Sequence, residues 1–319
     1  MTKYRTNLPQ LGGNLYLTDG GLETTLIFDK GVSLRNFAAF DILNSDVGEQ
    51  LMFEYYSEYI QIAKKHRTGF ILESPTWRAN TDWGEQMGYS SLSLALMNIK
   101  AIKLLEEIRS EAENKTNPIV ISGCIGPRGD GYNPKHLMNS VEAEEYHSTQ
   151  IATFSATNVD MITALTISYA DEAIGIARAA KAFNIPVVIS FTEETDGWLP
   201  NGESLKETIE WVDAATENSV AYYMLNCAHP SHFTKVLNKG ESWLNRIHGI
   251  RANASSKSHA ELDDSVTLDS GSPIMLGKEY RKLHSLLPNL NVLGGCCGTD
   301  HTHLTEIYHA CSPAWQKVA

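Results

Sequence analysis

No apolar run in this 319-residue chain is long enough to cross a bilayer. Its N-terminus lacks the basic, apolar and small-residue succession of a secretory leader. A membrane partner is therefore not expected, and the cytoplasm is the expected compartment. Cationic excess is missing too. Lys and Arg number 26 against 38 Asp and Glu, a formal net charge of −12, so the basic footprint that a phosphate backbone requires is absent and nucleic acid is not an expected partner. Cysteine is scarce: five, an odd number thinly spread, do not make a disulfide framework. In a reducing compartment such residues are metal ligands, nucleophiles or small core hydrophobes. No Pro-, Ser- and Gly-rich linker, internal repeat or low-complexity block divides the chain, which leaves one domain over 1–319.

What the chain does contain is a regular alternation of short apolar runs with longer amphipathic ones. Strand character falls at 15–18, 70–73, 119–122, 161–166, 187–191, 222–225, 247–251 and 292–294, most of these runs being rich in Ile, Val, Leu, Phe or Tyr and closed by a turn residue. Each is read as leading into a helical stretch, the clearest at 47–65, 92–113, 143–158, 170–183, 205–217 and 279–287. Leu51, Tyr55, Tyr59, Ile62 and Ala63 form one stripe at three- and four-residue spacing, as core-facing helix residues do. Eight strand-then-helix units in this length predict a closed parallel barrel, a single (β/α)8 TIM barrel of α/β class.

Catalytic groups of such barrels stand at the C-terminal ends of strands and in the loops that follow. The polar clusters of this chain fall there: Asp19-Gly20-Gly21, Glu73-Ser74-Pro75-Thr76-Trp77, the run from Gly126 to Tyr132, Thr192 to Asp196, Asn226-Cys227, and Cys296-Cys297. The last pair, within Gly294-Gly295-Cys296-Cys297-Gly298-Thr299, carries the most chemistry. Adjacent cysteines do not readily close a disulfide with each other. Flanking glycines let the backbone turn so that both thiolates face one point, and a soft divalent metal, Zn2+ first, is the usual occupant. Cys227, at the end of a strand separated from the last by only one other, supplies a third sulfur. Three protein ligands leave one tetrahedral position open, the mark of a catalytic zinc site.

These residues in this order resemble the zinc-dependent homocysteine S-methyltransferase family, which includes betaine– and S-methylmethionine–homocysteine methyltransferases and the homocysteine-binding module of cobalamin-dependent methionine synthase. The resemblance runs from Asp19-Gly20-Gly21 through Gly126-Pro127 and Asn226-Cys227 to the Cys296-Cys297 run. It implies a (β/α)8 barrel, zinc on Cys227, Cys296 and Cys297, a thiol substrate completing the tetrahedron, and methionine as the product when that thiol is homocysteine. It also implies that Asp19 holds the α-amino group of the acceptor, with the backbone N–H groups of Gly20 and Gly21 suited to approach its carboxylate. The competing reading of Asp19 is a cap on the following helix.

The chemistry of that ligand set agrees. A free thiol is mostly protonated near neutrality, and coordination to zinc deprotonates it. Attack on a methyl carbon then needs an onium donor of the S-methylmethionine, S-adenosylmethionine or betaine type, and methyl groups on a cationic centre are held well by aromatic faces. Trp77, Trp83, Tyr132, Tyr169 and Trp198 fall in predicted mouth loops, and Trp77, Tyr132 and Tyr169 are taken as substrate-binding. One residue departs from the family pattern: Leu165 stands where homocysteine-using relatives carry a second acid. Either Glu193, Glu194 or Asp171 replaces it from a neighbouring loop, or the acceptor is a different thiol. A barrel metallohydrolase is the rival enzyme class, disfavoured because three thiolates quench the Lewis acidity such chemistry uses. A structural or redox cysteine site in a binding protein is the non-enzymatic rival. Cys124 and Cys311 read as core residues, His229, His301 and His303 as neighbours of the ligands. Oligomeric state is left open, because helix faces buried against a barrel or a subunit look alike in sequence.

Overall fold

The computed structural model describes residues 2–314. Eight parallel strands close into a barrel in sequence order: β1 Tyr16–Leu17, β2 Gly69–Glu73, β3 Ile119–Ile125, β4 Met161–Ile167, β5 Val187–Phe191, β6 Val220–Asn226, β7 Ile247–Ala252 and β8 Val292–Gly295. The ring is sealed where Tyr16 pairs with Val292 and Leu17 with Leu293. Every strand expected from the sequence is present, each within three residues of its expected ends.

Seven helices of eleven residues or more pack outside among the described residues: α1 Asp46–His66, α2 Ser91–Ala112, α3 Ser140–Ser155, α4 Ala170–Ala182, α5 Leu205–Thr216, α6 Pro273–Leu286 and α7 His301–Cys311. Their starts are chemically marked. Ser45, Ser90, Asn139, Ser204, Ser272 and Asp300 each accept a hydrogen bond from a first-turn N–H, satisfying a donor that the helix leaves open. The expected strand-then-helix rhythm fails once. Between β6 and β7 the chain forms only the four-residue helix Pro230–Phe233 and short 3-10 turns, so no long helix covers that seam.

Strand residues alternate between two cores. Leu17, Phe70, Leu72, Ile121 and Phe191 face outward into the layer shared with the helices. Tyr16, Ile71, Val120, Met161, Val188, Tyr222, Met224 and Val292 fill the barrel's interior. Going up the strands on that inward parity, the side chains turn polar. Ser122 shares a hydrogen bond with Thr163 (2.7 Å), and the Ser190 hydroxyl donates to Asn226 Oδ1 (2.6 Å). Glu73 and Arg251 continue the same parity. The barrel is thus sealed by hydrocarbon at its N-terminal end and lined by hydrogen-bonding groups at its C-terminal end, as a site at that rim requires.

Candidate metal centre and substrate cleft

Cys227 follows β6 directly and has a left-handed backbone, φ 57°. Thr166 near the end of β4 is also left-handed, φ 65°, an outlier for a β-branched residue. The side chain of Asn226 ties the two. Its Oδ1 accepts from Thr166 N–H (2.9 Å) and its Nδ2 donates to Thr166 Oγ1 (2.9 Å). Asn253 anchors the other side, donating to the Cys227 carbonyl (2.8 Å). Strain of this kind persists only where the surroundings over-determine it. Asn226→Ala is therefore expected to lower metal affinity by roughly 10- to 100-fold, as loss of a group that orients a ligand does; competition against a chromogenic chelator measures it.

Cys296 and Cys297 sit in the turn after β8, which is bound on two sides. Cys296 N–H donates to the Ala252 carbonyl (2.9 Å), and Ala254 N–H to the Cys297 carbonyl (3.1 Å). On the β1 side, Gly21 N–H donates to the Thr299 carbonyl (3.0 Å). A Cβ at Gly21 would stand 2.6 Å from the Cys296 carbonyl oxygen, so the two loops approach too closely for any side chain there. The Gly21 amide expected to greet a substrate carboxylate is thus already engaged in holding the cysteine turn.

The Sγ atoms of Cys227, Cys296 and Cys297 all lie within 4.8 Å of one another. A tetrahedral zinc with bonds of about 2.3 Å needs sulfurs roughly 3.8 Å apart, so the three can share one ion. Two of the sulfurs are joined here as a Cys227–Cys296 disulfide, across 69 residues of chain and a Cα–Cα distance of 5.3 Å. The sequence predicts three free thiols; the ends of β6 and β8 bring two of them close enough to bond. Only the reduced pair can face a metal. Burial pushes the Cys297 thiol up to about 12, with Glu23 adding to the rise, so a thiolate at this point needs a cation as counter-charge. Soft donors, proximity and that electrostatic demand all fit zinc. Among the described residues no histidine or carboxylate joins the group. His229 and His303 instead serve helix starts, His229 Nδ1 accepting from Ser231 N–H and His303 pairing with Asp300.

The cysteines line a cleft of about 610 Å³ together with Asp19, Gly20, Gly21, Trp77 and Tyr132, all expected from the sequence, and with Leu165. Phe37, Glu23, Glu73, Cys124 and Arg251 line it too and were not singled out as site residues. Asp19 does not cap a helix: the short helix Leu22–Thr24 starts after Gly21 with no side-chain cap. Its Oδ2 accepts from the Tyr55 hydroxyl (3.0 Å), and its Oδ1 lies 2.7 Å from Nη2 of buried Arg251. Burial opposes the charge of Arg251, but Asp19 and Glu73 outweigh it and hold the guanidinium above its ordinary value. Burial also raises two carboxyls to about 7. For Glu73 the Arg251 charge opposes the rise, and for Glu23 its own backbone N–H does.

Other expectations do not meet at this cleft. Glu193 is fully buried, with burial pushing its carboxyl well up, and neither it nor Glu194 nor Asp171 lines the cleft. Tyr169 faces a neighbouring cavity with Arg128 and Glu172, its hydroxyl accepting from Met138 N–H (3.1 Å). Trp198 is exposed in the β5 loop. Trp83 does not line the cleft; the Arg78 guanidinium lies 4.1 Å from its ring centroid and 5.0 Å from that of Trp77. The aromatic wall of the cleft is accordingly Phe37, Trp77 and Tyr132, the last packed against His259 with centroids 4.0 Å apart.

The sequence model of the family described as homocysteine S-methyltransferase matches residues 16–311. Among curated proteins none matches. The fold is similar to that of the homocysteine methyltransferase MmuM from Escherichia coli. Its oxidized form aligns with TM-score 0.73 at 16% identity, covering 92% of this chain and 95% of that one. Its metallated form aligns with TM-score 0.72, also at 16% identity, covering 94% and 96%. At that identity the likeness speaks for the fold alone.

Proposed function

Because the chain belongs to the homocysteine S-methyltransferase family, we propose that it transfers a methyl group from an onium donor to homocysteine, with zinc held by Cys227, Cys296 and Cys297. The observation that carries this reading is the convergence of three sulfurs on a cleft whose other walls hold charged groups and aromatic faces. Zinc, when bound, would keep the acceptor thiol deprotonated at neutral pH.

The chain's own residues set up the rest of the transfer. Ala252, Ala254, Asn226 and Asn253 fix where the cysteine sulfurs stand, and hence where the acceptor sulfur must sit. Phe37, Trp77 and Tyr132 offer ring faces to a sulfonium or quaternary ammonium donor. As the new S–C bond forms from the acceptor sulfur's electron pair, the donor's own bond to the methyl carbon breaks toward its heteroatom, which leaves neutral. The charge is consumed in the step, so an apolar aromatic wall favours departure of the product. The cysteine-only donor set supports this over a hydrolase, where His and carboxylate ligands would be wanted.

Zinc-loaded, reduced protein incubated with L-homocysteine and, in turn, S-methylmethionine, S-adenosylmethionine and betaine is expected to form methionine with at least one donor, read by mass spectrometry. Absence of methionine with every donor, alongside methylation of another thiol, would move the acceptor assignment and leave the zinc assignment standing.

A further inference from the structure

Three buried polar atoms lining the cleft have no hydrogen-bond partner among the described residues: Asp19 Oδ1, Glu73 Oε2 and Arg251 Nη1. The side chains are only 3–5% exposed, so bulk solvent reaches them little. Each group is held by its other atoms. Asp19 Oδ2 is engaged by Tyr55, and the Glu73 carboxyl by the Ser122 and Thr163 hydroxyls. Arg251 donates from Nε to the Gly295 carbonyl (3.2 Å) and from Nη2 to the Gly20 carbonyl (3.3 Å). Nη2 also lies 2.7 Å from Asp19 Oδ1 as its counter-charge, yet that oxygen takes no hydrogen bond and keeps its accepting capacity.

Leaving one buried polar atom unpaired is costly, and three in one cleft, fixed in place by their own second contacts, form a recognition surface. The set is two carboxyl oxygens, able to accept, and one cationic donor. Its complement is a small molecule carrying an ammonium and a carboxylate. We propose that Glu73 and Arg251, with Asp19, bind the zwitterionic head of an α-amino-acid thiol: Glu73 Oε2 and Asp19 Oδ1 accept from the ammonium, and Arg251 Nη1 donates to the carboxylate. This inference rests on the acceptor reading above and gives it specificity residues. Glu73 on β2 thereby takes over the charge that Leu165 on β4, which lines the same cleft, does not carry. Arg251 supplies the carboxylate contact for which the engaged Gly21 amide is not free.

Calorimetric titration of the zinc-loaded, reduced protein tests this through binding rather than turnover. The probes are L-homocysteine, 4-sulfanylbutanoate, which lacks the ammonium, and 3-sulfanylpropan-1-amine, which lacks the carboxylate. Wild type is expected to bind homocysteine tightest. Glu73→Gln, which keeps shape and loses charge, is expected to weaken homocysteine and the amine by roughly 10- to 100-fold while leaving 4-sulfanylbutanoate and zinc content unchanged. Arg251→Lys gives the reverse selectivity, losing affinity for the two carboxylates. Adding Leu165→Glu to Glu73→Gln restores homocysteine binding. Wild-type affinity for homocysteine in both single variants, or equal losses across all three probes, overturns the proposal and leaves the acceptor reading intact. A wild type that binds homocysteine no better than 4-sulfanylbutanoate sinks that reading and this inference together.

Discussion

Replacing any one of Cys227, Cys296 or Cys297 with alanine is expected to remove stoichiometric zinc and lower methyl transfer by about 10³-fold or more, with the barrel still folded. A free thiol is only a few per cent ionised near pH 7, so loss of the metal alone removes most of the nucleophile. Loss of the fixed sulfur position removes a further factor of roughly 10² or more. The barrel survives because the three sulfurs stand beyond the ends of β6 and β8, above the two apolar cores, and contribute little hydrocarbon to either. Metal content by mass spectrometry and a circular dichroism melt read the two halves of the prediction. Full zinc content in two of the three variants would remove the ligand assignment, and unfolding on metal loss would make the site structural.

Asp19→Asn is expected to destabilise the fold by about 3–5 kcal/mol, the range for breaking a buried ion pair by removing one partner. Its partner Arg251 is 5% exposed and 2.7 Å away, so the substitution leaves that charge buried without its nearest counter-ion. The melting temperature should fall by roughly 5–10 °C. Homocysteine affinity should fall as well, since Asp19 Oδ1 is one of the open acceptors in the cleft. A double variant, Asp19→Asn with Arg251→Met, separates the two effects. Deleting both charges should return most of the stability and none of the homocysteine affinity. A double variant no more stable than Asp19→Asn alone would mean that Asp19 is not held in place as the counter-ion of Arg251.

The barrel was legible because its strands are short apolar runs closed by turn residues, a signal that survives without knowledge of their partners. The missing helix between β6 and β7 was not, because its turn residues and short apolar pieces read as an ordinary strand-to-helix connection. Helix α7 was expected after the last strand, but its bounds were not drawn, for a different reason. His301 and His303 drew attention as neighbours of the ligands, while Asp300, which caps that helix, carried the decisive mark. The cysteines were legible because adjacent cysteines among glycines have few other uses. Glu73 and Arg251 were also written in the sequence, as lone charges inside apolar strands at inward parity with Ile71 and Gly249. Glu193, Glu194 and Asp171 were chosen by nearness to a strand end, and for Glu193 parity argues otherwise. Phe191 faces outward, so Glu193, two residues on, continues away from the cleft.

The most direct test of the account is zinc K-edge X-ray absorption on reduced protein, with and without L-homocysteine. The account predicts three sulfur neighbours at about 2.3 Å and one lighter atom in the resting protein, changing to four sulfurs when homocysteine is added. A coordination shell dominated by nitrogen or oxygen, or a sulfur count that homocysteine leaves unchanged, would contradict it.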